Sequence, residues 1–216
     1  SCVPATSEAL ESVNARIGAE EVVELAREDG VVALGELMDY QGLLRGDHRL
    51  VAILDAGRRA GLSLEGHVPT LSGMDLSRYA AHGIRSDHTL MGPDKVAEEL
   101  GKGLYVMLQE KSLTAQVVEF VRKLPDRSRV LLVTDDVLPN RLVHGHLSRV
   151  LERAVQLGWD PIDALASASL RPAVYLGFRD LGLIAPGYRA DFLLCPALDR
   201  FPPRCVYVEG VRVAED

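Results

Sequence analysis

Residues 130–136 read VLLVTDD, four apolar residues, a threonine and two carboxylates. The apolar part has the length of one strand buried on both faces, as strands are in parallel sheets. Two adjacent acids closing such a strand are costly unless they are paired or bound to a metal. Four segments upstream have the same form: VVALGE ending at Glu36, LSLEGH ending at His67, IRSDH ending at His88 and LYVMLQE ending at Glu110. Helical patterns separate them, at about residues 47–60, 72–82, 93–100, 113–123 and 147–156. Gly158 stops the last of these, and Asp160-Pro161 opens another helix by the cap and first-turn preferences. Strands alternating with helices predict βαβ units and the α/β class. Acids and histidines at successive strand ends predict a (β/α)8 barrel of the TIM type, whose chemistry gathers at the carboxyl ends of its strands.

Only five strand–helix units can be counted, whereas a closed barrel needs eight. The chain also opens on SCVPAT with no starting Met. The expectation is a barrel over residues 1–181, truncated at its N-terminal side or completed by another chain. From Gly182 the pattern changes to short strands with turns, ADFLLCP and then RCVYVEGVRVAE, with Glu209-Gly210 as a hairpin turn. Residues 182–216 therefore read as a small β annex, too small to fold alone.

The bulk properties narrow the partners. With 216 residues and 47% hydrophobic content, a sizeable core can be buried. A net charge of -7 and no basic stripe argue against nucleic acid as the main partner. No apolar run approaches the roughly 20 residues that cross a bilayer, and no basic segment precedes an apolar one as in a signal peptide. Cys2, Cys195 and Cys205 lie far apart and form no CxxC pair, so neither a zinc ribbon nor a disulfide framework is indicated. A cytoplasmic protein acting on a small molecule is expected. Barrel enzymes often associate, so a homo-oligomer is open.

Each candidate residue has a plain reading beside the chemical one. Glu36, in Gly35-Glu36-Leu37-Met38, can bridge two cations or act as a base; it can also be a loop-facing charge. His67 and His88 each end a strand of the same repeat, and neutral imidazole suits zinc, iron or manganese. Asp87 is either an acceptor that fixes the His88 tautomer or a turn residue. Side chains alternate along a strand, so one of Asp135 and Asp136 points inward. Asp135 is taken as metal ligand and proton shuttle, and Asp136 as a capping, pairing or substrate-binding residue. His144-Gly145-His146 has HxH spacing, but it lies in a loop leading into a helix. That context assigns His146 a substrate contact or a helix start rather than a metal. Glu110 faces the pocket and binds substrate, or pairs with Lys111. Arg85, His48 and His82 read as surface residues, Tyr105 and Met107 as core.

The order of SCVPAT, GELMDYQGLLRGD, GHVPTLSGMDLSRYAAHGIRSDH and TDDVLPN, followed by GHLSRVLERAVQLGWDPIDALASASLRPAVYLGFRDLGLIAPGYRADFLLC, resembles the bacterial adenine deaminases of the amidohydrolase superfamily. The resemblance covers essentially the whole chain. It implies a metal-dependent barrel with a small β-sandwich annex, holding one or two divalent ions (Mn²⁺, Fe²⁺ or Zn²⁺). Glu36 then matches the bridging carboxylate of the fourth strand, His67 and His88 the histidines of the fifth and sixth, and Asp135 the aspartate of the eighth. The family's first-strand HxH pair would lie upstream. The implied reaction is hydrolytic deamination of adenine to hypoxanthine and ammonia, with Asp135 moving the proton. At three places the sequence differs from the family pattern: Thr89 stands for a glutamate, Val137 for an arginine, and Gln109-Glu110-Lys111-Ser112 for Arg-Glu-Gly-Ser. Two other readings are carried: an amidohydrolase that cleaves a cyclic amide or related C–N bond, and a non-catalytic, incomplete barrel fragment.

Overall fold

Asp47 shows how local chemistry sets the elements. Its side chain accepts from the backbone N–H of Arg49 (2.8 Å) and of Leu50 (3.3 Å), which starts a helix at His48. Leu50, Ile53, Leu54 and Gly57 then fall on one buried face, and Arg58 and Arg59 occupy the last turn, where cations suit the helix dipole. The computed structural model describes residues 4–7 and 9–215. Cys2 and the opening of the SCVPAT segment lie outside them.

In chain order the elements are α1 (Ala19–Leu25), β1 (Ala33–Leu37), α2 (Tyr40–Leu44), α3 (His48–Arg59), β2 (Ser63–Gly66), α4 (Gly73–Ala81), β3 (Ser86–Asp87), α5 (Pro93–Gly101) and β4 (Tyr105–Leu108). A 3₁₀ turn at Glu110–Ser112 follows, then α6 (Ala115–Lys123), β5 (Val130–Leu132), α7 (Pro139–Leu142), α8 (Leu147–Gln156), α9 (Pro161–Ala168) and α10 (Leu170–Leu176). The tail is β6 (Phe192–Leu194), β7 (Cys205–Val208) and β8 (Val211–Glu215). The chain divides into two units, Ser1–Thr89 with Ala97–Val106, and Leu90–Val96 with Met107–Asp216. The division passes through α5 and β4.

In the first unit β1 and β2 run parallel, with Ala33 opposite Ser63 and Leu34 opposite Leu64. The register then slips, so that Leu37 faces Gly66. Such an irregularity re-aims side chains next to it, and Glu36 is one of them. β3 and β4 are also parallel, with Ser86 opposite Tyr105. Leu34, Leu37, Leu50, Ile53, Leu64 and Leu76 form the buried core beneath these strands.

In the second unit Val130, Leu131 and Leu132 are all buried, as expected for a strand covered on both faces. The N–H of Val133 donates to Leu108 O (3.1 Å). Thr114 caps α6, whose Val117, Val118 and Val121 are buried. Asp160 caps α9, with Pro161 in the first turn, as the sequence predicts. β6, β7 and β8 form an antiparallel sheet. Glu209 and Gly210 both take positive φ (50° and 78°), the requirement of a tight type I′ hairpin.

These are the parallel strands and intervening helices of an α/β chain. Among the described residues they form no closed barrel. No described helix is long and apolar enough to cross a membrane.

Candidate metal centre

Three side chains of the first unit converge. Glu36 extends from β1, while His67 and His88 directly follow β2 and β3. Glu36 Oε2 lies 2.9 Å from His67 Nδ1 and 2.9 Å from His88 Nε2. The two ring nitrogens are 3.4 Å apart. These residues, which sequence reading assigns as metal ligands from three separate strand ends, are the one such group found among the described residues.

The spacing fits a cation. Two ligand atoms each about 2.1 Å from one metal sit about 3.0 Å apart at right angles and about 3.4 Å apart at the tetrahedral angle. The observed separations span that range. Glu36 Oε2 is also buried without a well-aligned donor among the described residues, although both imidazoles are within reach. One carboxylate oxygen and two imidazole nitrogens, all within 3.4 Å of one another, are the kind of donor set a cation requires. The His88 imidazole holds the Glu36 carboxyl below the ordinary carboxylate range; burial opposes this, and the charges of His88 and His67 reinforce it. The carboxylate is thus kept in its ligating form. A mixed imidazole and carboxylate set suits zinc, iron or manganese.

Gly66 allows the two histidines to approach. A Cβ there would sit 2.2 Å from Ser86 O and 3.0 Å from Tyr79 Oη. Gly66→Ala is therefore expected to force β2 and β3 apart. The cost should be about 1–3 kcal/mol of stability, the usual size of an overpacking penalty, together with weaker metal binding. A urea midpoint and a metal titration on the same sample measure both.

The aspartates of the second unit are arranged differently from the sequence expectation. β5 ends at Leu132, and Asp135 takes φ +57°, so strand alternation does not decide which acid points inward. Asp135 is exposed; its Oδ2 accepts from Gln109 Nε2 (2.9 Å) and its Oδ1 from the N–H of Asp136 (2.7 Å). Glu110 starts the 3₁₀ turn rather than ending a strand, and its carboxylate meets Arg141 and Arg149, each at 3.4 Å, rather than Lys111, the partner in one of its two readings. His146 is the N-cap residue of α8, consistent with a helix start. Glu110, Asp136 and His146 line one small cavity of about 40 Å³ with Gln109, Thr134 and Arg149. Glu110, Arg141 and Arg149 also line an adjoining space of about 660 Å³ with His144, within the range of ligand sites. Arg85 and His48 are exposed as expected, whereas His82, Tyr105 and Met107 are half-buried.

Two residues near the triad have roles that the sequence hides. Asp87 is fully buried, and its Oδ1 accepts from the N–H of Val68 (2.8 Å) while Oδ2 accepts from Thr89 Oγ1 (2.6 Å). Thr89 thus belongs to the Asp87 network. Tyr79 on α4 is fully buried, donates to Leu37 O (2.9 Å) and accepts from the N–H of His67 (3.1 Å). A tyrosine in the apolar stripe of a helix was the available signal, since a buried phenol needs partners.

The Amidohydrolase family sequence model matches residues 1–213. The chain is 38% identical over 215 residues to an adenine deaminase of Methanothermobacter thermautotrophicus, covering 100% of this chain and 39% of that protein. It is 43% identical over 214 residues to an adenine deaminase of Deinococcus radiodurans, covering 97% and 39%. It thus spans about two fifths of the length of these curated relatives. Among solved structures it resembles an enamidase (TM-score 0.69, 15% identity, 92% of this chain and 59% of that one). It also resembles the 5-methylcytosine deaminase of Klebsiella pneumoniae (TM-score 0.61, 15% identity, 92% and 59%). At such identities the structures speak to fold alone, and it is the match along nearly the full sequence that shows this chain to belong to the amidohydrolase family.

Proposed function

We propose that this chain carries the metal-holding part of a hydrolytic adenine deaminase, converting adenine and water to hypoxanthine and ammonia. The observation that carries the reading is the convergence of Glu36 Oε2, His67 Nδ1 and His88 Nε2 in a chain whose relatives are named adenine deaminases. Residues 1–181 are read as strands four to eight of a TIM-type barrel with their helices, and residues 182–216 as a β-sandwich segment. Glu36, His67 and His88 hold one or two divalent ions, with Asp135 as a further ligand; Mn²⁺, Fe²⁺ and Zn²⁺ all suit this donor set.

A divalent ion bound there lowers the pKa of water to about 7 and so supplies the nucleophile near neutral pH. Overall, the water oxygen bonds to C6 of the purine, the C6–N6 bond breaks, nitrogen leaves as ammonia with one water proton, and the other water proton ends on ring N1. The carboxylate of Asp135 takes the proton from the attacking water and delivers it to the departing nitrogen. Its hydrogen bond from Gln109 Nε2 orients the carboxylate for that transfer. Glu110, Asp136 and His146 are the groups offered to the polar edge of the ring, and a ring presenting the wrong edge leaves them unpaired.

The deciding test is metal content by elemental analysis of the full-length protein, with ammonia release from adenine and from a panel of cyclic amides. One or two equivalents of metal with adenine turnover is the expected result. Metal with turnover of a cyclic amide alone would reassign the substrate, and neither metal nor turnover would sink the reading.

A further inference from the structure

Beyond the ligands themselves, we infer that the Tyr79 hydroxyl and the Asp87 carboxylate are positioning groups that fix the mutual geometry of Glu36, His67 and His88; this rests on the metal reading above. β2 ends at Gly66, so the next two backbone N–H groups, those of His67 and Val68, leave the strand ladder. Backbone donors this close to the core need acceptors. The two acceptors are side chains, and each is tied to another ligand's strand. Tyr79 Oη accepts from the His67 N–H and its own O–H donates to the carbonyl of Leu37, the residue after Glu36. Asp87 Oδ1 takes the Val68 N–H, and Asp87 is the residue before His88. His67 is thereby linked to Glu36 through a phenol and to His88 through a carboxylate. Both groups are fully buried, and Thr89 Oγ1 steadies the second oxygen of Asp87. The register between β1 and β2 slips across Leu34–Leu37, the stretch that carries Glu36, and the phenol bridge joins the two strands at its far end.

Groups that orient metal ligands typically change metal affinity 10- to 100-fold when removed. The test uses Co²⁺ as the probe in the full-length protein, read by its visible ligand-field bands and by titration. His67→Ala is the reference for loss of a ligand. Tyr79→Phe keeps the ring and removes only the hydroxyl, so a 10- to 100-fold weaker Co²⁺ affinity with shifted bands is expected. Ile53→Val, which trims the same unit's core, controls for general loosening and should bind within about twofold of the wild type. Should Tyr79→Phe not fold, Asp87→Ala and Asp87→Asn replace it. The first should weaken binding, and the second, which retains an oxygen for the Val68 N–H, should recover most of it. Unchanged affinity and bands in Tyr79→Phe, or in Asp87→Ala, would overturn the inference while leaving the metal site intact. If the wild type takes up no Co²⁺, or His67→Ala binds as well as the wild type, the metal reading itself fails and the inference fails with it.

Discussion

Glu36→Gln should lose its metal and about three orders of magnitude in kcat/KM for adenine, yet remain folded. The first part follows from charge. Glu36 supplies the anionic oxygen that both imidazoles face at 2.9 Å, and an amide in its place presents a neutral oxygen or an N–H₂ to the cation. Lewis-acid assistance is worth several kcal/mol, and about 4 kcal/mol corresponds to a thousandfold in rate. The second part follows from the hydrogen-bond geometry. Glu36 Oε2 has no well-aligned donor among the described residues, and its pairing with the two imidazoles is one third exposed to solvent and so weak, which leaves the metal-free fold little to lose. Thermal melts separate the two effects. Added metal should raise the wild-type midpoint, because binding at a hundred times Kd stabilises by about 2.7 kcal/mol. The variant's midpoint should match that of the metal-free wild type and ignore the metal. A variant that still responds to metal would show that Glu36 is not a ligand.

The triad was legible because its signal is local. An apolar run followed by a histidine or acid can be read one segment at a time, and three such segments end where the structure brings their ligand atoms together. The same holds for Asp47, Asp160 and Glu209-Gly210, whose caps and turn depend on neighbours within a few residues. What escaped depends on distance along the chain or on a broken pattern. The partners of Tyr79 are 12 and 42 residues away, and nothing local in GMDLSRYAA announces them. The strand argument for Asp135 assumed that the extended backbone continued to the acids, whereas it ends at Leu132 and Asp135 adopts a left-handed conformation. Short elements were missed for a related reason. α2 spans five residues with a glycine at its centre; its cap, Asp39 accepting from the N–H of Gly42 (2.7 Å), is local, but so short a segment shows no helical period.

Asp163→Ala should cost about 3 kcal/mol of stability without touching the triad. Asp163 lies on α9 and gathers one indole and two guanidinium groups. Trp159 Nε1 donates to Oδ2 at 2.6 Å, Arg127 Nε lies 2.8 Å from the same oxygen, and Arg171 pairs with Oδ1. Removing the acceptor leaves a buried indole N–H and two guanidinium groups uncompensated, the situation in which losing one member of a buried pair costs about 3–5 kcal/mol. Partial exposure of Arg127 puts the estimate at the low end. Asp163→Asn retains an oxygen for Trp159 and should cost less. The same network sets an acid limit. Burial works against ionisation of Asp163, but the Trp159 hydrogen bond, then the Arg171 hydrogen bond and charge, then Arg127 outweigh it and hold the carboxyl below its usual range. A depressed acid contributes stability that is fully present above its unfolded pKa of about 3.9 and is lost as pH falls through the lower folded value. The wild type should therefore lose this contribution only below about pH 4, and Asp163→Asn should show a flatter decline over that window. Trp159 is the single tryptophan of the chain and is itself buried, so its fluorescence reports the network directly in urea titrations at several pH values. Equal slopes against pH for wild type and Asp163→Asn would show that the aspartate is not the group that sets acid stability there.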